Sequence, residues 1–219
     1  MNRLIWKTLV FLSRLRTTIK YVAALPFTYR NWWAVPLVKV GRSAVLELRD
    51  GTRLLVRPGT TDLAAVNEAA IQNPYLGHSR IVLHDAATVI DIGAYIGDFT
   101  VQVARRCPRG RIVAVEPIRE HVDMIASQLM LNRLSNVETV CAAVGAADGD
   151  GEVSSAGIAS RIGAAGASSR RVPVMTLETM MADYRIDRVD LLKLDCEGAE
   201  WDILPAAEGV LPRIDQICM

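Results

Sequence analysis

The sequence predicts an α/β domain built on a parallel sheet, and three observations predict it. From residue 88 onward, short apolar runs alternate with segments of helical periodicity. Those runs are continuously apolar, as strands are when helices cover both faces of the sheet. The first run ends in an acid and two glycines four apart that open a helix, a turn at the carboxyl end of a strand where such sheets collect ligands.

Residues 1–43 are a different material and read as an N-terminal extension to the domain of residues 44–219. Residues 1–46 hold Arg3, Lys7, Arg14, Arg16, Lys20, Arg30, Lys39 and Arg42 and no acid, leaving 17 of the 25 Lys and Arg against all 24 Asp and Glu. Seven of the twelve aromatics fall in residues 1–33. In residues 3–25, Leu4, Ile5, Leu12, Leu15, Ile19 and Val22 share one helical side, and Pro26 is expected to end that basic amphipathic helix. Two readings stand side by side. One is an interfacial helix on an anionic membrane, with Trp32 and Trp33 at headgroup depth. The other is a helix docked on the domain or on a second subunit of a homo-oligomer. Lys7, Arg14, Arg16 and Lys20 interrupt every apolar run, so nothing approaches the roughly 18 residues a bilayer span needs, and no secretory signal is visible.

Residues 44–49 and 52–57 flank Asp50-Gly51, a strong hairpin signal, and Thr60 or Thr61 is placed to cap a short helix through Asp62, Val66 and Ala70. The alternation then runs Thr88–Ile92 (strand), Asp98–Arg106 (helix), Arg111–Val115 (strand), and a helix carrying Ile118, Val122, Ile125 and Leu129. A third strand is expected over Val137–Val144, a fourth over Val189–Asp195, and the start of a fifth at Gln216–Met219. Residues 145–171, rich in Gly, Ala and Ser, read as a mobile loop or small hairpin.

The near balance of charge excludes a uniformly basic nucleic-acid coat. Cys107, Cys141, Cys196 and Cys218 are scattered without a CxxC pair, which argues against a disulfide framework or zinc site and for free thiols in a reducing cytoplasm.

Three stretches carry the chemistry. In Val89–Thr100, Asp91 precedes Gly93 and Gly97, whose missing side chains allow a sharp turn and a close ligand. The GxxxG spacing is not the GxGxxG of a pyrophosphate binder, so a nicotinamide dinucleotide is not the first choice. Glu116 ends the next strand about 20 residues on, where an acid suits a bidentate grip on two ribose hydroxyls. A lone acid there would more often cap a helix. Lys193-Leu194-Asp195-Cys196-Glu197-Gly198-Ala199-Glu200 puts Asp195 at the end of the central fourth strand, with Glu197 and Glu200 at the following helix start, where capping is the plain reading for Glu200.

Together with Val115-Glu116-Pro117, Ala142–Gly149 and the Val172–Leu177 lead-in, these stretches resemble the FkbM-type methyltransferases, which are S-adenosylmethionine-dependent class I enzymes. The resemblance runs from about residue 45 to the end and is most specific at Asp190–Leu204. It implies a Rossmann-like class I methyltransferase sheet. It also implies S-adenosylmethionine as cofactor, bound at Asp91, Gly93, Ala94, Tyr95, Gly97, Glu116 and Ala143. The implied reaction is O-methylation of a small-molecule or glycan acceptor, a sugar, glycolipid or secondary metabolite. The scattered thiols and the basic N-terminal segment, read by themselves, point to the cytoplasm or to a membrane reached through residues 1–33. If the acceptor is a hydroxyl, Asp195 is the first candidate to take its proton and Glu197 the second. His78 and His84 could reach the same face but are more ordinarily surface residues, and nothing in the spacing demands a metal.

Three residues depart from the pattern. Tyr95 stands where the family usually has Asn, so a polar contact on the cofactor's carboxylate side is expected to be lost or taken over by the phenol. Cys196 replaces a Val, and Pro205 falls inside the last helix, where it removes a donor and is expected to kink it. Two other classes compete: a nicotinamide-dependent oxidoreductase, disfavoured by the GxxxG spacing, and an inactive membrane-associated binding protein, for which Tyr95 is the only hint. The resemblance implies a sheet of seven strands and only five can be counted, so the sheet reads as truncated after the fifth: the chain is expected to be a fragment, or one whose bare edge a partner chain completes.

Overall fold

The computed structural model describes residues 21–72, 75–77, 81–154, 169–196 and 198–219. Most of the expected 3–25 helix, His78, Glu197 and residues 155–168 lie outside the described residues. No helix among the described residues is long and apolar enough to cross a membrane.

Residues 21–28 are helical (α1), followed by a short 3-10 turn at Trp32–Ala34 and helix α2 (Val35–Lys39). Pro26 does not end α1. It lacks an N–H itself, but Tyr29 still donates to the Leu25 carbonyl at 2.8 Å, so the turn survives its passage. Strands β1 (Ala44–Glu47) and β2 (Arg53–Val56) pair antiparallel across the expected turn, where Gly51 takes φ +87°. Helix α3 (Asp62–Asn67) follows and widens into a π-helical turn at Glu68–Gln72. Thr61 occupies its N-cap without a side-chain bond, and the Thr60 hydroxyl accepts the Asp62 N–H at 3.2 Å.

The alternation from residue 88 folds as β3 (Thr88–Ile92), α4 (Asp98–Arg106), β4 (Arg111–Val115), α5 (Arg119–Asn132) and β5 (Val137–Val140). Then come β6 (Ala143–Val144), β7 (Gly149–Ser154), β8 (Ser169–Met175), α6 (Leu177–Asp183), β9 (Leu191–Leu194), α7 (Glu200–Ala206) and β10 (Ile217–Cys218). The central sheet has the order β10-β9-β3-β4-β5 and is parallel throughout. Successive residues alternate between two buried faces. Ile90, Val113 and Leu192 pack with Met180 and Ile203 on one side, and Val89, Ile112 and Leu191 pack with Phe99 and Val103 on the other.

Two boundaries differ from expectation, and one region takes the second of its two expected forms. The Val137–Val144 run is two strands, because after Val140 the chain leaves the central sheet and Ala143 and Val144 pair with Val174 and Met175 of β8. The Gly/Ala/Ser-rich region contains a hairpin, with β7 antiparallel to β8 and Gly149 opposite Val174. The fourth strand is shorter, Leu191–Leu194, since Val189 forms only an isolated bridge with Ile214. Pro205 is the sixth residue of α7, which ends at the next.

The first hairpin is fastened to the domain by two amides one turn apart on α5. Gln128 accepts the Leu55 N–H at 2.8 Å and donates to the Leu55 carbonyl at 2.9 Å, and Asn132 does the same at Arg53, at 2.9 and 2.6 Å. Their side chains act as a further strand along the free edge of β2. Gln128→Ala strips Leu55 of both partners and should lower stability by about 1–3 kcal/mol, read from the urea midpoint.

Candidate active site

The strand order reverses between β3 and β9, since the chain builds outward through β4 and β5 and then returns to the other side for β9 and β10. Loops at the carboxyl ends of those strands diverge there and leave a cleft. A cavity of about 320 Å³ occupies the place, within the ordinary range for small-ligand sites.

Its floor is the turn after β3. Gly93 has φ +76°, and a Cβ there would overlap the Asp195 carbonyl oxygen and lie 2.9 Å from its carbon. Glycine is therefore required by the approach of the β9 backbone alone. Gly97 takes φ +80° as the N-cap of α4 against Ile125, behind the cavity wall. Tyr95, between them, is held at φ +49°, a conformation that costs a non-glycine residue about 1–3 kcal/mol. Four contacts hold it there. Its N–H donates to Glu116 at 3.0 Å, its ring meets His121 edge-on at 4.5 Å, and its hydroxyl donates to Asp62 at 2.9 Å and lies 2.7 Å from the Thr61 hydroxyl. Burial, with the charge of Asp62 behind it, pushes the phenol up to about 12. The phenol is thus turned toward α3, where it joins the Arg57–Asp62 pair. Burial disfavours the Asp62 charge, but two side-chain bonds and a backbone bond from Arg57 outweigh it and hold the carboxyl below the usual range.

Glu116 forms the adjoining wall at the end of β4. Beyond Tyr95, it accepts from Ile118 N–H at 3.0 Å and lies 3.1 Å from His121 Nδ1. Both of the latter fall on Oε1, so Oε2, with only the Tyr95 bond, keeps room for another donor. Ala142, Ala143 and Ile118 add an apolar surface beside it.

The opposite wall comes from β9. Lys193 is 4% exposed, with Nζ 3.1 Å from Asp91 and 3.5 Å from Asp195. The rings of Tyr75 and Phe99 lie 5.5 and 5.6 Å from the ammonium. Burial works against its charge, yet Asp91 and Asp195 outweigh it and hold the ammonium above the ordinary lysine range. Asp91 is fully buried behind this lysine and also accepts from Thr100 at 2.5 Å, so it bears on the cleft only through Lys193. Asp195 reaches the cleft directly, its side chain 51% exposed, and accepts from the Tyr75 hydroxyl at 3.3 Å. Glu200 accepts the N–H groups of Cys196 and Gly198 at 2.5 and 2.7 Å; both lie in the turn before α7, so it ties that turn to the helix start and makes no cap bond to the helix itself. His84 pairs with Asp190 at 3.0 Å, away from the cleft.

Of the residues marked from sequence, Gly93, Ala94, Tyr95, Glu116, Ala143 and Asp195 line the cavity, Asp91 and Gly97 stand behind it, and Glu197 is not described. Lys193, Asp98, His121 and Tyr75 line it without having been singled out. Lys193 could have been found from register, since parallel pairing of β3 with β9 sets it beside Asp91.

The model of the methyltransferase FkbM domain matches residues 91–219, more than half of the sequence. The chain belongs to the FkbM methyltransferase family. The cofactor of that family is S-adenosylmethionine, and the cleft fits it: a carboxylate with spare acceptor capacity, an apolar surface beside it and a glycine turn beneath. Among curated proteins, the AMB antimetabolite synthetase AmbE of Pseudomonas aeruginosa is 26% identical over 183 residues, covering 64% of this chain. This chain spans 8% of the length of that relative. Among solved structures, methyltransferase FkbM from Methylobacillus flagellatus KT is 17% identical, with a TM-score of 0.47 over 63% of this chain and 33% of that one. A SAM-dependent methyltransferase from Agrobacterium tumefaciens is 14% identical, with a TM-score of 0.41 over 79% and 49% of the two chains.

Asp98, the first residue of α4, is an acid that the cleft makes weak. Burial raises it to about 6, with Asp91 adding to the effect and Lys193 opposing it. The folded state thus binds more protons than the unfolded chain between about pH 4 and 6, so this group's contribution to stability falls as pH rises through that window. Asp98→Asn should be more stable than the parent at pH 7 by up to about 3 kcal/mol, the gain vanishing below about pH 4. Urea midpoints at the two pH values measure it.

Proposed function

We propose that this chain transfers a methyl group from S-adenosylmethionine to a hydroxyl of a small-molecule or glycan acceptor. The observation that carries this reading is the convergence of two carboxylates of different duty on one cleft, Glu116 from β4 and Asp195 from β9, in a chain of this family. The cofactor would be held by the Gly93–Tyr95 turn, Glu116 and Ala143, and it would supply an electrophilic methyl on a sulfonium. Asp91 and Gly97 serve the same site from behind, one through Lys193 and the other by shaping the turn.

In this reading Glu116 accepts ribose hydroxyls, beginning with the open side of Oε2, and Ala142, Ala143 and Ile118 cover the base. Asp195 takes the acceptor's proton. Lys193 and the Tyr75 hydroxyl both approach Oδ2, which orients the carboxylate and leaves Oδ1 for the acceptor. Methyl displacement needs alignment and exclusion of water more than covalent help, and the alanine-lined α3 wall at Ala64, Ala65 and Ala69 suits that need. Glu197, adjacent in sequence, is the second candidate for the proton.

A tritiated-methyl assay against hydroxyl-bearing glycans, lipid extracts and small metabolites tests the reaction, and transfer only to nitrogen or carbon acceptors would refute it. Glu116→Ala should weaken S-adenosylmethionine binding by about 1.5–3 kcal/mol in isothermal titration, and unchanged affinity removes the ribose assignment. Asp195→Asn should leave that affinity within twofold while lowering kcat by about 10²–10⁴. A loss confined to KM would make Asp195 a binding group.

A further inference from the structure

We propose that the N-terminal surface formed by α1, the Trp32–Ala34 turn and α2 docks on an anionic lipid surface, a partner beyond the reading of the cleft. A surface helix ordinarily hides one apolar face and shows water a polar one. These two short helices are apolar on both. Leu25, Tyr29, Ala34, Val35 and Val38 are buried against the β1–β2 hairpin and the α4–α5 side of the domain. On the outer side Phe27 is 83% exposed, Val40 73% and Trp33 62%, with Val22, Trp32 and Leu37 also exposed. Six of the eleven large hydrophobic side chains exposed among the described residues thus fall between residues 22 and 40. Such clustering marks a surface that meets something other than water.

The charge around it selects the occupant. Lys39 and Arg42 are exposed on the same stretch, and Arg30, also exposed, shares its charge with Glu47 at 3.4 Å. The sequence has no Asp or Glu before Glu47, and five further basic residues precede Tyr21. A self-complementary contact between two copies would bring these like charges together, whereas an anionic bilayer neutralises them. Indole rings with a polar N–H and an apolar body belong at headgroup depth, and Trp32 and Trp33 stand edge to face with centroids 6.4 Å apart. Phe27, Leu37 and Val40 supply side chains that a nucleic-acid groove would not use but hydrocarbon accepts. Three basic residues with bulky apolar neighbours make an interfacial foot: it lies on a membrane and does not cross it.

The test is co-sedimentation of the full 219-residue chain with sonicated vesicles of phosphatidylcholine alone or with about one third phosphatidylglycerol, at two salt concentrations. The expected result is at least about tenfold stronger partition onto the anionic vesicles, weakened by salt, with a blue shift of Trp fluorescence. F27S/W32S/W33S should lose about tenfold or more of that partition. K39E/R42E, which keeps the aromatic side chains, should lose about tenfold or more on anionic vesicles only. Both variants should bind S-adenosylmethionine as the parent does, which shows that they are folded and keeps this outcome separate from that of the methyl-transfer reading. Equal partition onto both vesicle types overturns the proposal. So does parental partition by both variants, which would put the anchor elsewhere in the chain. A dimer by analytical ultracentrifugation, with the blue shift present before any lipid is added, also overturns it and assigns the face to a second copy.

Discussion

The structure depends first on an ammonium ion almost wholly withdrawn from water. Lys193 lies in the middle of a parallel sheet, at the point where strand order reverses, and its charge is matched by Asp91 beside it and Asp195 two residues on. Desolvating such a charge costs several kcal/mol, and removing one partner of a buried pair typically costs about 3–5 kcal/mol. Closure of β3 against β9 and assembly of the cleft are therefore one event. The same seam carries the tightest backbone approach in the site, where the Asp195 carbonyl sits against Gly93. Glycine in that turn thus answers a packing demand first: the place its side chain would take is filled by the Asp195 carbonyl.

A second constraint ties the N-terminal part to this seam. Tyr95 adopts a left-handed conformation in the floor of the cleft, and its hydroxyl is held by the Asp62 carboxylate and the Thr61 hydroxyl at the start of α3. Asp62 is in turn fully buried and satisfied by Arg57 after the hairpin. Through these bonds the Tyr95 side chain forms a tether between the floor of the cleft and α3. One wall of the cleft, from Thr61 to Ala69, is positioned by that tether.

What was legible in the sequence follows from periodicity and turn chemistry. The runs Thr88–Ile92 and Arg111–Val115 match β3 and β4 residue for residue, because a buried parallel strand needs unbroken apolar character and little else competes with it. Asp50-Gly51 made its hairpin for an equally local reason. The run Val137–Val144 looked like one strand because its apolar content does not record which sheet each residue joins, and only pairing of Val144 with Met175 separates the two. Helix α6 was not anticipated at all. Its start is a Thr176 hydroxyl accepting from Thr179 N–H, a cap too short to stand out among neighbouring threonines and methionines. Asp98 and His121 were missed for a different reason. Each is an ordinary polar residue in the first turn of a helix, and only the tertiary fold turns those first turns toward one cavity.

The exposed aromatic face and the cleft are linked through apolar packing and one amide. Asn67, at the end of α3, accepts from the Tyr29 hydroxyl at 2.9 Å and donates to the Tyr21 hydroxyl at 2.9 Å. Those tyrosines lie on the inner side of α1, whose outer side carries Val22 and Phe27. Burial pushes the Tyr29 hydroxyl well above the usual phenol range, so it is a neutral donor at any physiological pH. The α3 wall of the cleft therefore rests on the N-terminal segment through two neutral hydrogen bonds and apolar packing, and among the described residues no ion pair crosses that joint. Salt that weakens attraction between Lys39, Arg42 and an anionic surface would leave this joint intact. Attachment and cleft geometry meet at one group: the Lys39 ammonium lies 5.6 Å from the centroid of the Tyr21 ring, so a charge that would select a surface also touches the joint that holds the wall.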